Sequence, residues 1–315
     1  MAIDYIIFIH GVKTRDRSKY ELQAMQMFDR INAHVKPNPA RTYKPIFLFW
    51  GDIAKDSIDT LNSGLNNSPT WKDFWFKDLR EEQFIPFIGD AALYLSRNVS
   101  VKIIKQMTAQ ALQQMGVSLD EIKQQPRQAG DRLHLVTHSW GTVILFDIMF
   151  APRWEDKTLS ADILEAVDNI RSSFFGIGKP EIKEFGIPIA SIHTMGSPIS
   201  LFNLLNASGA QSFNLTPRLK DFLSSLHTIT GKPLPWRNYA HPGDPIAYPL
   251  KGVIDLSLDE AKAFVEIEDI MSPTNPFLEA IGKNALSIFQ LLHGGEAHGS
   301  YWTDPSVAKR IGEAI

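Results

Sequence analysis

The chain contains no cysteine. Disulfides, thiolate metal sites and a cysteine nucleophile are thereby excluded. Long apolar runs are missing as well: no stretch approaches the roughly 20 residues that a membrane-spanning helix needs. Residues 1–11 hold only a short apolar core, residues 5–9, preceded by Asp4 and by no basic residue. That is too short and wrongly charged for a secretory signal. A surplus of one charge is also absent. Lys and Arg number 32 against 35 Asp and Glu, a net charge of −3, so nothing calls for a polyanionic partner such as nucleic acid. No H-E-x-x-H occurs. His134 and His138 lie four apart on a strand-like run, which separates them by roughly 13 Å, too far to share a metal. The expectations are therefore no metal, no cofactor, no nucleic-acid partner, no membrane span beyond transient contact with a membrane surface, and a cytoplasmic location.

What is present reads as α/β. The 315 residues, 44% of them hydrophobic, suffice for one large domain with insertions. Residues 5–9 (Y-I-I-F-I) are apolar throughout, as suits a strand buried on both faces of a parallel sheet. Residues 20–35 form an amphipathic helix and residues 44–50 (K-P-I-F-L-F-W) the next strand, a βαβ unit with parallel strands. From residue 53 to residue 130 the pattern loosens into a helical, aromatic insertion. Residues 62–70 are loop, and aromatics cluster at 71–76 and 84–88. Residues 90–115 form one long helix or two abutting ones, with Gln106, Gln110, Gln113 and Gln114 marking a solvated face. A second insertion spans residues 253–294. Its start carries strand-like pieces around Leu256, Leu258 and Phe264, and a helix is expected over 277–292.

The chemistry centres on residues 132–145, R-L-H-L-V-T-H-S-W-G-T-V-I-L. A short apolar strand ends at His138, a turn follows, and helical spacing begins at Gly141. Ser139 stands at the apex. A serine hydroxyl is a poor nucleophile and must be held clear of the sheet, where a histidine can take its proton. The turn crowds strand against helix, so small residues are favoured two positions either side. Here they are Thr137 and Gly141, giving T-H-S-W-G in place of G-x-S-x-G. This stretch resembles the nucleophile elbow of the α/β-hydrolases, particularly their lipase and esterase branch.

The resemblance implies a mostly parallel central sheet flanked by helices, with residues 1–315 as a single α/β-hydrolase domain, and it extends to other parts of the chain. Residues 5–9 run into His10-Gly11-Val12, where the family's loop lends a backbone N–H to the oxyanion hole. The implied donors are Val12 or Gly11, with Trp140 after the nucleophile. Residues 187–195 form a strand ending in G-S-P. Ser197 in that turn is a weaker nucleophile candidate, because Pro198 has no N–H to offer. Residues 236–240 form a strand leading into H-P-G-D-P-I, which resembles the family's acid loop. Asp244 is then the acid that orients the base. Residues 298–302 (H-G-S-Y-W) resemble a stretch at the C-terminal end of lipase-like hydrolases, making His298 the base. Nucleophile, acid and base follow in the family's order. Asp52, His241 and His293 are weaker rivals, and His134 and His193 read as core histidines. His10, Trp75 and Phe76 are candidate substrate contacts, with the aromatic insertion as lid, acyl wall or self-packed helices. The implied activity is hydrolysis of a small-molecule or lipid carboxylic ester through Ser139, Asp244 and His298. A phospholipase or thioesterase would use the same residues, and a non-catalytic binding module on the same fold is the alternative of another class.

Overall fold

The computed structural model describes residues 1–118, 120–121, 130–175, 177, 186–202, 215–272 and 297–315. Its strands are β1 (Ala2–Ile9), β2 (Arg41–Leu48), β3 (Arg132–His138), β4 (Ile189–Met195), β5 (Leu234–Ala240) and β6 (Val265–Met271). They form one six-stranded sheet in the order β2-β1-β3-β4-β5-β6, every pairing parallel. Successive side chains of β1 point to opposite faces. Ile6 and Phe8 enter one apolar cluster, and Tyr5, Ile7 and Ile9 enter another. Both faces are covered, which is why the run shows no polar alternation.

The helices that cover the sheet are α1 (Arg17–Asn32), α2 (Lys55–Asn66), α3 (Ile85–Leu95), α4 (Arg97–Met115), α5 (Trp140–Phe150), α6 (Ala161–Asp168), α7 (Thr216–Thr230), α8 (Lys251–Ser257) and α9 (Pro305–Ala314). Tyr20, Met27 and Ile31 of α1 pack with Val307 and Ile311 of α9 on the Ile6–Phe8 face. Residues of α4, α5 and α7 cover the other face. Asp16 and Asp304 start α1 and α9, each carboxylate accepting a backbone N–H of the first turn, the usual N-cap device. No described helix is long and apolar enough to cross a membrane.

Two expectations are corrected. The α4 glutamines form a solvated face only in part: Gln113 and Gln114 are exposed, Gln110 is buried, and Gln106, Gln110 and Gln114 bond backbone at the β2 edge. Gln110 accepts from Phe49 N–H at 2.7 Å and donates to Phe49 O at 3.0 Å. Gln114 does the same to Phe47, at 2.8 Å each way, and Gln106 donates to Phe49 O at 3.1 Å. A side-chain amide carries the donor and acceptor of a peptide group. The row at i, i+4 and i+8 thus pairs the outer edge of β2, closing an edge that would otherwise be free for other strands. The second correction lies at 251–264, where the strand-like pieces are helix α8 and a 3₁₀ segment (Asp259–Phe264). Ile254 and Leu258, four apart, are both buried there, as helical spacing requires. The strand follows them: β6 is the sheet's last member, so the stretch from residue 253 belongs in part to the sheet. Residues 90–115 are two abutting helices, meeting at Ser96. The polar linker at 119–130 and the helix expected over 277–292 lie wholly or mostly outside the described residues.

His134 and His193 are core histidines. His134 Nδ1 lies 2.7 Å from Ser191 Oγ, and its Nε2 lies 3.4 Å from Asp4 Oδ1. His193 Nε2 lies 2.9 Å from the same Ser191 oxygen. Arg41 closes the row by chelating the Asp4 carboxylate. Burial pushes both imidazoles below their ordinary range, so they sit in the sheet as neutral rings.

Candidate active site

The sheet order reverses between β1 and β3: β2 lies on one side of β1, and β3 with the later strands lies on the other. Open α/β sheets have their crevice outside the carboxyl ends of the strands at such a point. Ile9 pairs with Thr137, so Gly11 and Ser139, each just beyond its strand, meet at the reversal.

Ser139 has φ 54° and ψ −128° between β3 and α5. A β-carbon in this backbone region costs about 1–3 kcal/mol unless the surroundings hold it there. The surroundings do. Ser139 N–H donates to Met195 O at 2.9 Å, and Thr142 N–H donates to Ser139 O at 3.1 Å. Thr137 Oγ1 lies 2.7 Å from Thr142 Oγ1, so the threonine that replaces the motif's first glycine ties the strand to the helix. Gly141 is sterically required, because a β-carbon there would fall 2.5 Å from His10 O. Gly11 is equally constrained: its β-carbon would lie 2.5 Å from Ser139 Cβ and 3.0 Å from Ser139 Oγ. Backbone of the β1 loop thus abuts the serine directly. The serine also occupies the N-cap of α5, where the helix dipole favours negative charge.

Asp244 follows β5 in a tight turn, with Asp244 N–H donating to His241 O at 2.9 Å. Its side chain is fully buried. Oδ1 accepts from Ile246 N–H at 2.9 Å. Oδ2 accepts from His298 Nδ1–H at 2.9 Å and from Tyr301 O–H at 2.8 Å. The Tyr301 hydroxyl in turn accepts His241 N–H at 2.8 Å. Burial alone raises the Asp244 carboxyl, but the His298 bond and charge, the Ile246 N–H and Tyr301 together carry it below the ordinary carboxylate range. It is therefore an anion facing an imidazole.

His298 is placed by its backbone as well as its ring. Its carbonyl accepts His138 Nε2–H at 2.7 Å, and the two rings lie 4.7 Å apart. Gly196, next to the Met195 that holds Ser139, has φ +56°; a β-carbon there would meet Asp244 Oδ2 at 2.8 Å and His298 Nδ1 at 3.1 Å. The ends of β3, β4 and β5 thus carry Ser139, Gly196 and Asp244, and His298 is tied both to Asp244 and to His138, the neighbour of Ser139. Ser139 Oγ and His298 Nε2 are buried and have no hydrogen-bond partner among the described residues. With Nδ1–H committed to Asp244, the Nε2 lone pair is free to accept a proton. A hydroxyl and an imidazole nitrogen left unpaired at the same end of the sheet offer a donor and an acceptor for proton transfer, and catalytic hydrogen bonds commonly tighten only when substrate is bound.

The other candidates sort clearly. His10, a candidate substrate contact, is engaged by its own loop and by Trp50. It is buried, its Nδ1 bonds Gly11 O at 2.6 Å, its Nε2 accepts Trp50 N–H at 3.1 Å, and its ring stacks on Trp50. It is a strut of the loop. Trp140 is partly buried against the larger core cluster. Trp75 is 81% exposed. Phe76 lines an apolar cavity of about 770 Å³ with Leu61, Leu65, Phe84 and Ile88, and none of Ser139, Asp244 or His298 lines it. Ser197 Oγ accepts Ile199 N–H as a turn residue. Asp52 is an exposed acceptor for Gln106. His241 Nδ1 accepts Gly243 N–H within the acid turn. His293 lies outside the described residues. Three partners were missed: His138, Gly196 and the hydroxyl of Tyr301. Their signal was adjacency to named motifs, in T-H-S, T-M-G-S-P and H-G-S-Y-W. Among the described residues no group of three or more His, Asp or Glu is arranged to hold a metal ion.

Comparison of the chain with models of protein families, with curated proteins and with solved structures gives no match.

Proposed function

We propose that this chain is a serine hydrolase of the α/β-hydrolase type that cleaves carboxylic esters through an acyl-enzyme. The observation that carries the reading is the strained Ser139 at the β3–α5 turn, at the same end of the sheet as a carboxylate-held imidazole whose Nε2 has no partner among the described residues. In the proposed reaction His298 Nε2 takes the Ser139 proton as Oγ attacks the ester carbonyl. Asp244 holds the tautomer and stabilises the imidazolium. Backbone N–H groups of Trp140 and of Gly11 or Val12 bond the oxyanion. His298 returns the proton to the departing alkoxide. Water then repeats the sequence on the acyl-enzyme and releases the acid.

A lipid ester is a second reading, favoured by the apolar cavity along α2 and α3. Hydrolysis of p-nitrophenyl esters from acetyl to palmitoyl, with fluorophosphonate labelling, tests both. Ser139→Ala should lower kcat by roughly 10³-fold or more and abolish labelling, and a preference for long chains would select the lipid reading. Turnover surviving in Ser139→Ala would refute the nucleophile. A wild type that neither turns over nor labels would favour the binding-module alternative.

A further inference from the structure

Helix α3 carries two buried polar side chains one turn apart, Asp90 and Tyr94. They grip two different segments of the site. Asp90 Oδ2 accepts Lys13 N–H at 2.8 Å, and Oδ1 accepts from Arg15 Nη2 at 2.7 Å. Tyr94 O–H donates to Asp147 Oδ2 at 2.5 Å, within α5. One helix of the insertion therefore holds both the loop after β1 and the helix after Ser139. Under the serine-hydrolase reading, on which this inference rests, those are the two segments that supply the oxyanion N–H groups.

The loop needs holding. Lys13 has φ 66°, a region that L-residues with long side chains avoid. The Asp90 bond is made to the N–H of that residue. The same loop is pressed onto the end of β2: a β-carbon on Gly51 would lie 1.6 Å from Thr14 O, and Arg15 Nη1 donates to Gly51 O at 2.9 Å. Arg15 thus bridges Gly51 and Asp90, and the Lys13 N–H is bonded by the same Asp90 carboxylate.

We propose that Asp90 is a positioning residue of the oxyanion hole, setting the left-handed turn at Lys13 and through it the placement of the Gly11 and Val12 N–H groups against Ser139. The Asp90 side chain is fully buried and acts through backbone. Donors aimed at the tetrahedral oxygen bind the transition state more than the substrate. Releasing the loop therefore lowers kcat and leaves KM in place.

The test compares wild type, Asp90→Asn and Arg15→Gln on one soluble p-nitrophenyl ester. Inhibition by an alkyl boronic acid, which forms a tetrahedral adduct with a serine, is measured beside inhibition by a non-reacting amide of the same acyl group. Asparagine keeps the shape but offers one acceptor where two donors arrive. Asp90→Asn should lose about 10–100-fold in kcat with KM within about twofold. Boronate affinity should fall by the same factor, amide affinity should hold, and the pH profile should not shift, because Asp244 and His298 are untouched. Arg15→Gln, which leaves the Lys13 bond in place, should show a smaller loss of the same pattern and carries the test if Asp90→Asn does not fold. An active wild type with undiminished kcat in the folded variants, or a loss confined to KM, or lost kcat with unchanged boronate affinity, overturns this inference alone. A wild type that neither turns over nor labels at Ser139 overturns the hydrolase reading and this inference together.

Discussion

Lowering the pH from 7 to 5 should destabilise this protein steeply, because it folds with neutral histidines sealed inside. Burial holds His10 down to about 3, with Arg15 nearby acting in the same direction. Burial and the neighbouring His298 hold His138 down to about 3. The sign follows from proton counting. An unfolded imidazole titrates near 6.5, so below that pH the unfolded chain binds protons that these folded rings refuse, and stability falls as pH falls. The stability is fully present above 6.5 and is lost progressively toward pH 3. At pH 5 each ring has forfeited about 2 kcal/mol, 1.36 kcal/mol per unit over some 1.5 units, or roughly 4 kcal/mol for the two. His134 and His193, also lowered, add to the loss. Asp90, whose carboxyl burial raises, opposes it. Ordinary carboxylates stay ionised in both states across this window, so the loss belongs to the histidines. Domains are stable by about 5–15 kcal/mol, so the effect is a large share of the total. Urea unfolding followed by tryptophan fluorescence at pH 7.0, 6.0 and 5.0, at constant ionic strength, measures it. A stability at pH 5.0 within about 1 kcal/mol of that at pH 7.0, or ring signals of His10 and His138 that titrate between those values, would refute the reasoning.

Two substitutions test the site and the sheet edge separately. Gly11→Ala puts a methyl 2.5 Å from Ser139 Cβ. Under the proposed hydrolase reading, displacing Ser139 by that contact should cost about 100-fold in kcat/KM and about 1–3 kcal/mol of stability; full turnover by a folded variant would show that the loop has room to retreat. Gln110→Met removes both bonds to Phe49 at nearly constant volume. It should cost about 1–3 kcal/mol in urea unfolding with unchanged turnover per folded molecule, and a loss under about 0.5 kcal/mol would mean that water replaces the amide at this edge.

How far the structure could be read in advance depended on where each residue's partners lie. β1 and β3 are sandwiched between helices, so burial on both faces leaves an unbroken apolar run in the sequence. Among the described strands β6 borders only β5, and its V-E-I-E-D-I-M begins by alternating buried and exposed positions, a weaker signal beside the helical pieces before it. Gln110 misled for a physical reason: a glutamine facing solvent and one bonding a strand edge look the same in sequence. Ser139 was readable because its strain is local, written in the small residues at 137 and 141. His138, Tyr301 and Asp90 work through bonds spanning 160, 57 and 77 residues, and no local pattern encodes such contacts.

The same bonds bear on whether the aromatic insertion moves as a lid. Opening α3 away from the sheet would strip Asp90 of its Arg15 and Lys13 donors and Tyr94 of Asp147. Asp147 is itself buried and bound to Arg153 at 2.5 Å, so Tyr94 would be leaving one half of a buried ion pair. Leaving a buried polar group without its partner costs about 1–3 kcal/mol, so these bonds oppose opening of α3. Residues 67–84 are different. Phe74, Trp75 and Phe76 are exposed, and Phe76 adopts φ 58°. Under the hydrolase reading, substrate-driven movement of the insertion is expected in that segment rather than in α3, whose Asp90 bonds the Lys13 loop.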